Sequence, residues 1–254
     1  MSDVTRPVAL VTGVGRTVGI GAAIALRLAE DGFDVATAHW SPYDDRMPWG
    51  RQSDDPASIG KQLAERGART VAVEADLADP AVPARLLDEV GAALGPVTVL
   101  VMAHCESVDS GLLDSTVEAF DRHYAVNLRG SWLLLKGFAE RFAGPEGRGR
   151  VVALTSDAVV GNLPYGATKG ALDRLVVGAA RELSHLRVSC NVLNPGPVDT
   201  GWMDDALRDR VREATPLGRA GTAGDTAALV SFLCSAEGGW VNGQLLNADG
   251  GLHV

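Results

Sequence analysis

Tyr165 and Lys169 are the residues of this chain whose types and spacing point most directly to chemistry. They stand four apart in Tyr165-Gly166-Ala167-Thr168-Lys169, and on a helix positions i and i+4 share one face. A phenol has an unperturbed pKa of about 10. A neighbouring ammonium stabilises the phenolate and pulls that value toward neutrality. Tyr165 could then serve as a general acid toward a substrate oxygen, or as a base in reverse. Tyr-x-x-x-Lys often arises by chance. Here it follows an apolar, β-branched run that ends in Thr155-Ser156, and that position gives it weight.

A second stretch speaks to binding. The run VALVT (8–12) leads into Thr12-Gly13-Val14-Gly15-Arg16-Thr17-Val18-Gly19-Ile20-Gly21, and a helical pattern follows. Glycine permits positive φ and close backbone approach to a ligand. Free N–H groups and the dipole at a helix start favour a pyrophosphate. A strand before and a helix after make this a dinucleotide-binding pattern rather than a merely tight turn.

The elements that must position these residues alternate along the chain. Short apolar runs lie at 8–12, 34–40, 70–76, 97–103, 150–156, 187–195 and 243–251. Helical spacing occupies 21–32, 57–67, 82–95, 116–142 and 165–186, and Gly32, Gly67 and Gly95 sit where helices end. Near-continuous apolar strands alternating with helices predict an α/β fold: one Rossmann-like, doubly wound parallel sheet of about seven strands with helices on both faces. No repeat or low-complexity linker divides the chain, so one domain over 1–254 is expected. The stretch 41–56, rich in Asp, Pro and aromatics, reads as a loop insertion.

Composition narrows the function. The chain has 254 residues, 46% of them apolar, and carries 23 Lys+Arg against 32 Asp+Glu for a formal charge of −9. An acidic chain is poorly suited to phosphate neutralisation on nucleic acid or to anionic lipid. Cys105, Cys190 and Cys234 are too few and too scattered for a disulfide framework or a zinc ribbon, so no metal site is expected. The sequence lacks a signal-peptide pattern at its start and an apolar stretch of membrane-spanning length. The expectation is a cytoplasmic protein acting on a small molecule, with no nucleic-acid or membrane partner.

Together the glycine turn, Tyr165/Lys169 and Ser156 resemble the short-chain dehydrogenase/reductase family, and in particular its 3-oxoacyl-ACP reductase-like members, over essentially the full length. The resemblance implies an NADP-dependent oxidoreductase that reduces a ketone to a secondary alcohol, or the reverse, with Tyr165 as acid/base. It implies that Ser156 polarises the substrate oxygen and that Asn127 holds a water linking Lys169 to solvent. Thr155 is the runner-up to Ser156, since period-2 alternation turns only one of them to the cleft. The cofactor would meet Thr12, Gly13, Gly15, Arg16, Gly19, Ile20, His39, Asp76, Leu77, Tyr165, Lys169, Pro195, Gly196, Val198 and Thr200. Arg16 resembles the family position whose basic residue meets a 2′-phosphate. His39 and Ser41 could add donors, and no acidic residue follows the second strand until Asp44. NADP(H) is therefore favoured, with NAD(H) the alternative. Asp249-Gly250-Gly251 matches the family's close and reads as structural.

The chain departs from the family in three places. The glycine turn is two residues longer than usual. The Ser156–Tyr165 offset is 9, about four shorter than usual. Met102-Ala103-His104-Cys105 replaces Asn-Asn-Ala-Gly, which makes His104 either a packed loop residue or a group acting on substrate. A lid over about 199–219 would close on substrate, with Trp202 and Met203 as candidate walls. The helices at 116–142 and 165–186 resemble those that pair in relatives, so a homo-oligomer, dimer or tetramer, is expected. A non-catalytic dinucleotide-binding sensor on the same fold is the rival reading.

Overall fold

A computed structural model describes residues 6–253; the first five residues and Val254 of the expected 1–254 domain lie outside the described residues. In chain order the elements are β1 (Val8–Thr12), α1 (Ile20–Glu30), β2 (Asp34–His39), α2 (Ser41–Arg46), α3 (Asp55–Glu65), β3 (Thr70–Glu74), α4 (Val82–Leu94) and β4 (Val97–Met102). Then come α5 (Val117–His123), a π-helical turn (Tyr124–Gly130), α6 (Ser131–Arg141), β5 (Arg150–Leu154), α7 (Leu163–Glu182), β6 (Ser189–Asn194), α8 (Asp205–Ala214), α9 (Ala223–Cys234) and β7 (Leu245–Asn247). Two short 3₁₀ turns, Ser184–Leu186 and Glu237–Trp240, complete them.

The seven strands form one sheet in the order β3-β2-β1-β4-β5-β6-β7, and every pairing is parallel. Alternation of side chains along each strand explains the two-layer cover. Ala9, Val11, Val35, Val99, Val101, Val152 and Leu154 pack on one face with Ile24 and Leu28 of α1, Ile59 and Leu63 of α3, and Val230 and Leu233 of α9. Leu10, Ala36, Leu100, Met102, Val151 and Ala153 pack on the other with Leu86 and Val90 of α4, Leu134 and Phe138 of α6, and Leu172 and Val176 of α7. This is a Rossmann-like doubly wound fold. The chain leaves β1 toward β2, then returns to place β4 on its other side. The connections diverge there and open a crevice at the carboxyl ends of the strands.

Three expectations are refined. The stretch 41–56 is not all loop: Pro42 in the first turn starts α2, and α3 already begins at Asp55. The long helix expected over 116–142 runs without interruption from Val117 to Arg141, and a π turn that contains Asn127 lies in its middle. The last strand is only three residues, because Asp249, Gly250 and Gly251 turn away; both glycines have positive φ.

Candidate active site

A cavity of about 1340 Å³ fills the crevice. Its floor at one end is the glycine turn. Gly13 has φ +76°, and a Cβ there would meet the Ala103 carbonyl oxygen at 2.5 Å, so only glycine lets β1 turn this close to β4. α1 begins without a side-chain cap and without an acidic residue in its first turn. Its leading N–H groups therefore stand at the cavity edge beside Gly13, Gly15, Arg16, Gly19 and Ile20. This cradle fits the pyrophosphate of a dinucleotide.

Arg16 leaves the turn sideways. Its guanidinium lies 4.6 Å from the Trp49 ring centroid and donates to the Thr200 carbonyl at 3.0 Å. His39, at the end of β2, faces the same cavity; its Nδ1 is buried without a partner, and burial lowers its pKa. Asp44, which the sequence marked only as the first acidic residue after β2, is 8% exposed. It accepts from Trp49 Nε1 at 2.9 Å, and its Oδ2 would come within 2.8 Å of a Cβ on Gly15. Leu77 lines the cavity as expected. Asp76 does too, but its carboxylate already accepts from Arg122 at 3.0 Å and from the Ala78 N–H at 3.0 Å.

The other end holds the catalytic candidates. Tyr165 faces the cavity from the first turn of α7, with Ser156 beside it. The shortened 157–164 loop works because residue 166 is glycine: a Cβ there would overlap the Ala158 carbonyl oxygen. Ser156 Oγ accepts from the Ala158 N–H at 3.2 Å. Thr155 turns its hydroxyl to the Lys169 carbonyl at 3.3 Å, leaving Ser156 as the residue that presents its hydroxyl beside Tyr165. Lys169 is 2% exposed. Its Nζ lies 5.6 Å from the Tyr165 ring centroid and donates to the Leu154 carbonyl at 2.8 Å. Lys169 is not among the groups lining the cavity; it backs Tyr165 from within the protein.

Burial is the first influence on both groups. It lowers the Lys169 pKa, against which Cys105 and Asp173 act. It raises the Tyr165 phenol, Cys105 and Asp157 add to the rise, and only Ser156 draws it down. The expected pull of the ammonium toward neutrality is therefore not found in the protein alone, where desolvation dominates. The phenol stays protonated, which suits a proton donor.

Asn127 is buried in the π turn. Its Oδ1 accepts from the Glu106 N–H at 2.7 Å. Its Nδ2 donates to the Glu106 carbonyl at 2.9 Å and to Thr168 Oγ1 at 3.0 Å. The carboxamide is thus spent on the β4–α5 loop and α7. The Asn127 backbone carbonyl accepts from Ser131 Oγ at 2.8 Å.

His104 lines the cavity, but its ring nitrogens are taken up by structure. Its Nδ1 shares a 2.6 Å hydrogen bond with Thr12 Oγ1, and its Nε2 lies 3.2 Å from Ser131 Oγ. Burial, first, and Lys169 lower its pKa to about 3, so it is neutral at ordinary pH. It braces β1 against β4 and α6, and Thr12 is occupied by this brace rather than by the cavity. Cys105 lines the cavity, and burial pushes its thiol up.

On the lid side Pro195, Gly196, Val198, Thr200 and Trp202 line the cavity. Trp202 Nε1 donates to the Val198 carbonyl at 3.0 Å. Met203 is 4% exposed and lies outside the lining, so of the two expected walls only Trp202 meets the cavity. A Cβ on Gly196 would lie 2.5 Å from Asp249 Cβ, which gives the chain's closing turn its structural role. No cluster of His, Cys, Asp or Glu able to hold a metal occurs among the described residues. None of their helices is long and apolar enough to cross a membrane.

Sequence reasoning missed Arg46, Glu106 and Asn162. Arg46 donates to both Glu106 carboxylate oxygens at 2.9 Å. Asn162 donates to Ser107 Oγ and Asp109 Oδ1, both at 2.9 Å. Nothing in their spacing along the chain pairs them.

Known proteins resemble this chain over nearly its whole length. The family model described as enoyl-(acyl carrier protein) reductase matches residues 13–253. The Bacillus subtilis oxidoreductase YjdA is 32% identical over 99% of this chain and 98% of its own length. An Arabidopsis thaliana NADPH-dependent aldehyde reductase-like protein is 32% identical over 96% of this chain and 93% of its own. A blue fluorescent protein from a metagenomic library, solved in complex with NADPH, superposes with a TM-score of 0.87 at 31% identity and 98% coverage of both chains. With the glycine cradle, the Ser156–Tyr165–Lys169 cluster and the seven-stranded sheet, these likenesses show that the chain belongs to the short-chain dehydrogenase/reductase family.

Proposed function

We propose that this chain is an NADP-dependent carbonyl reductase, acting in reverse as a secondary-alcohol dehydrogenase, in a single domain whose 199–219 segment serves as the substrate lid. The observation that carries the reading is the Tyr165 phenol at the cavity wall, flanked by Ser156 and backed by buried Lys169. The glycine cradle and the 195–200 turn would hold NADP(H), whose chemistry here would be hydride transfer to the carbonyl carbon. Ser156 hydrogen-bonds the carbonyl oxygen and polarises it. Tyr165, kept protonated by burial, gives its proton to that oxygen. Lys169 holds a positive charge behind the phenol as the proton leaves. Pro195, Gly196, Val198 and Thr200 border the nicotinamide end, and Trp202 closes the substrate side.

Arg16 and the unpartnered His39 Nδ1 support a 2′-phosphate, and the NADPH-named relative and neighbour agree with it. The Asp44 carboxylate against Gly15 favours NAD(H) as the second reading, because it suits a ribose diol. Titration with NADPH and NADH by calorimetry, then a panel of aldehydes and ketones followed by NADPH absorbance, tests the proposal. Tight NADPH binding with turnover is expected. Binding without oxidation of NADPH by any carbonyl would favour the non-catalytic sensor. Homo-oligomerisation through α5, α6 and α7 belongs to the same reading. Val117, Phe120, Tyr124 and Trp132 are exposed there, and sedimentation velocity tests it.

A further inference from the structure

Glu106 sits where the two halves of the cavity meet, and it is bonded in both directions. Its side chain is 3% exposed. On one side its carboxylate takes the bidentate Arg46 guanidinium at 2.9 Å, with Arg122 Nε at 3.4 Å. On the other its own peptide N–H and carbonyl are both held by the Asn127 carboxamide, at 2.7 and 2.9 Å. The same Asn127 amide reaches Thr168, the residue before Lys169.

The Arg46 side of this link controls a wall of the cleft. α2 has six residues and buries only Asp44. A helix so short has no stability of its own, so tertiary tethers set its position. Those tethers are Arg46 to Glu106, the Tyr43 hydroxyl to the Ser107 carbonyl at 3.4 Å, and the Ser41 N–H to Glu74 Oε1 at 3.3 Å, while Trp49 donates to Asp44 within the segment. What they fix in place is Tyr43, with Asp44 against Gly15, along the cavity. A buried ion pair is weak evidence for stabilisation, because desolvation offsets much of the attraction. Fixing geometry is the better account of a carboxylate here.

We propose that Glu106 is a positioning residue that ties the α2 wall of the dinucleotide cleft to Asn127 in the catalytic half, so that loosening the Arg46–Glu106 pair impairs cofactor binding and turnover together. The proposal rests on the oxidoreductase reading above. Arg46→Met is the primary test, because Arg46 is half-exposed and Glu106 keeps Arg122 in that variant. NADPH affinity is measured by calorimetry, and kcat at saturating NADPH with para-nitrobenzaldehyde as the carbonyl probe. Arg46→Met is expected to weaken NADPH binding and to lower kcat, each by roughly 3- to 30-fold. Arg46→Lys, which keeps the charge but not the bidentate geometry, is expected to recover part of both losses. Glu106→Gln added to Arg46→Met is expected to give little further loss, since the two residues act as one unit.

A lowered thermal midpoint with NADPH affinity and kcat at wild-type values in Arg46→Met would overturn the proposal. Fully additive effects in the double variant would overturn it as well. If Glu106→Gln fails to fold, the Met and Lys variants at position 46 still decide the matter through the same readouts. Absence of NADPH and NADH binding in the wild-type protein is a different result: it refutes the oxidoreductase reading itself.

Discussion

The two ends of the cavity are built by different means. At the catalytic end, Lys169, Asn127, Thr168 and His104 are nearly fully buried, and their polar groups are bonded to the ends of β1 and β5, to the β4–α5 loop, to one another or to α6. At the dinucleotide end, Arg16, His39 and Trp49 are only partly buried. Stacking, a single carbonyl contact and the short helix α2 hold that end in place. The catalytic end is fixed by desolvated groups that have no alternative partners. The dinucleotide end has fewer buried contacts, and the Arg46–Glu106 pair is chief among them. Chemistry needs the first kind of site, and admission of a large cofactor needs the second.

Replacing the reacting group should break the catalytic end without touching the other. Tyr165→Phe is expected to lower kcat by roughly 10²- to 10⁴-fold, with NADPH affinity by calorimetry unchanged; loss of affinity would show that the ends are not separable in this way. The raised phenol gives a pH signature with a definite sign. Alcohol oxidation needs phenolate, so kcat/KM in that direction should climb as pH is raised from 7 toward 10, while ketone reduction, which uses the protonated form already present, should not climb.

The converse substitution acts at the dinucleotide end. Arg16→Ala is expected to weaken NADPH by roughly 10- to 100-fold and NADH far less, with kcat at saturation near wild type. Equal losses for both dinucleotides would remove Arg16 from the 2′-phosphate.

A third test probes why the catalytic end is rigid. His104 has a folded pKa of about 3 against an ordinary 6.5. The unfolded chain therefore takes up a proton, between those values, that the folded chain refuses. The stability this residue supports is complete above about pH 6.5 and is lost as pH falls, by about 1.4 kcal/mol per unit for a single site. Urea denaturation of wild type and His104→Asn from pH 7 to pH 5 should show the steeper decline in wild type; parallel curves would mean that His104 titrates normally.

The smallest effect belongs to the rim. Trp202→Ala should raise KM for carbonyl substrates several-fold, on the scale of one lost apolar contact, and leave NADPH affinity alone. A change in NADPH affinity instead would place Trp202 at the cofactor.

The catalytic end was more legible in the sequence than the dinucleotide end. Tyr165 and Lys169 lie in the first two turns of α7, where their spacing puts them on one face, and Ser156 follows β5, where resemblance to the family picked it over Thr155. The glycine cradle was legible for the same reason, since β1 and α1 flank it. α2 was not: a six-residue helix with two aspartates and a proline carries too little periodicity to announce itself. Met203 was misplaced as a cavity wall because the residues before α8 have no periodicity to say which side chain faces inward. His104 was left between two roles because a buried histidine and a substrate-facing one look alike until their partners are known.

Local residue chemistry determined much of this protein by itself. Alternating apolar strands and helices dictated a doubly wound sheet, because strands apolar on both faces must be covered on both. The Gly13–Gly21 turn dictated an anion cradle, and the Tyr165/Lys169 spacing dictated a shared helix face. Tertiary structure alone decided how far the phenol's pKa moves, since desolvation depends on what surrounds it. It alone paired Thr12 with His104, 92 positions away, and brought Arg46 to Glu106 across 60. Contacts at such separations depend on strand order, and no local pattern in the chain encodes that order residue by residue.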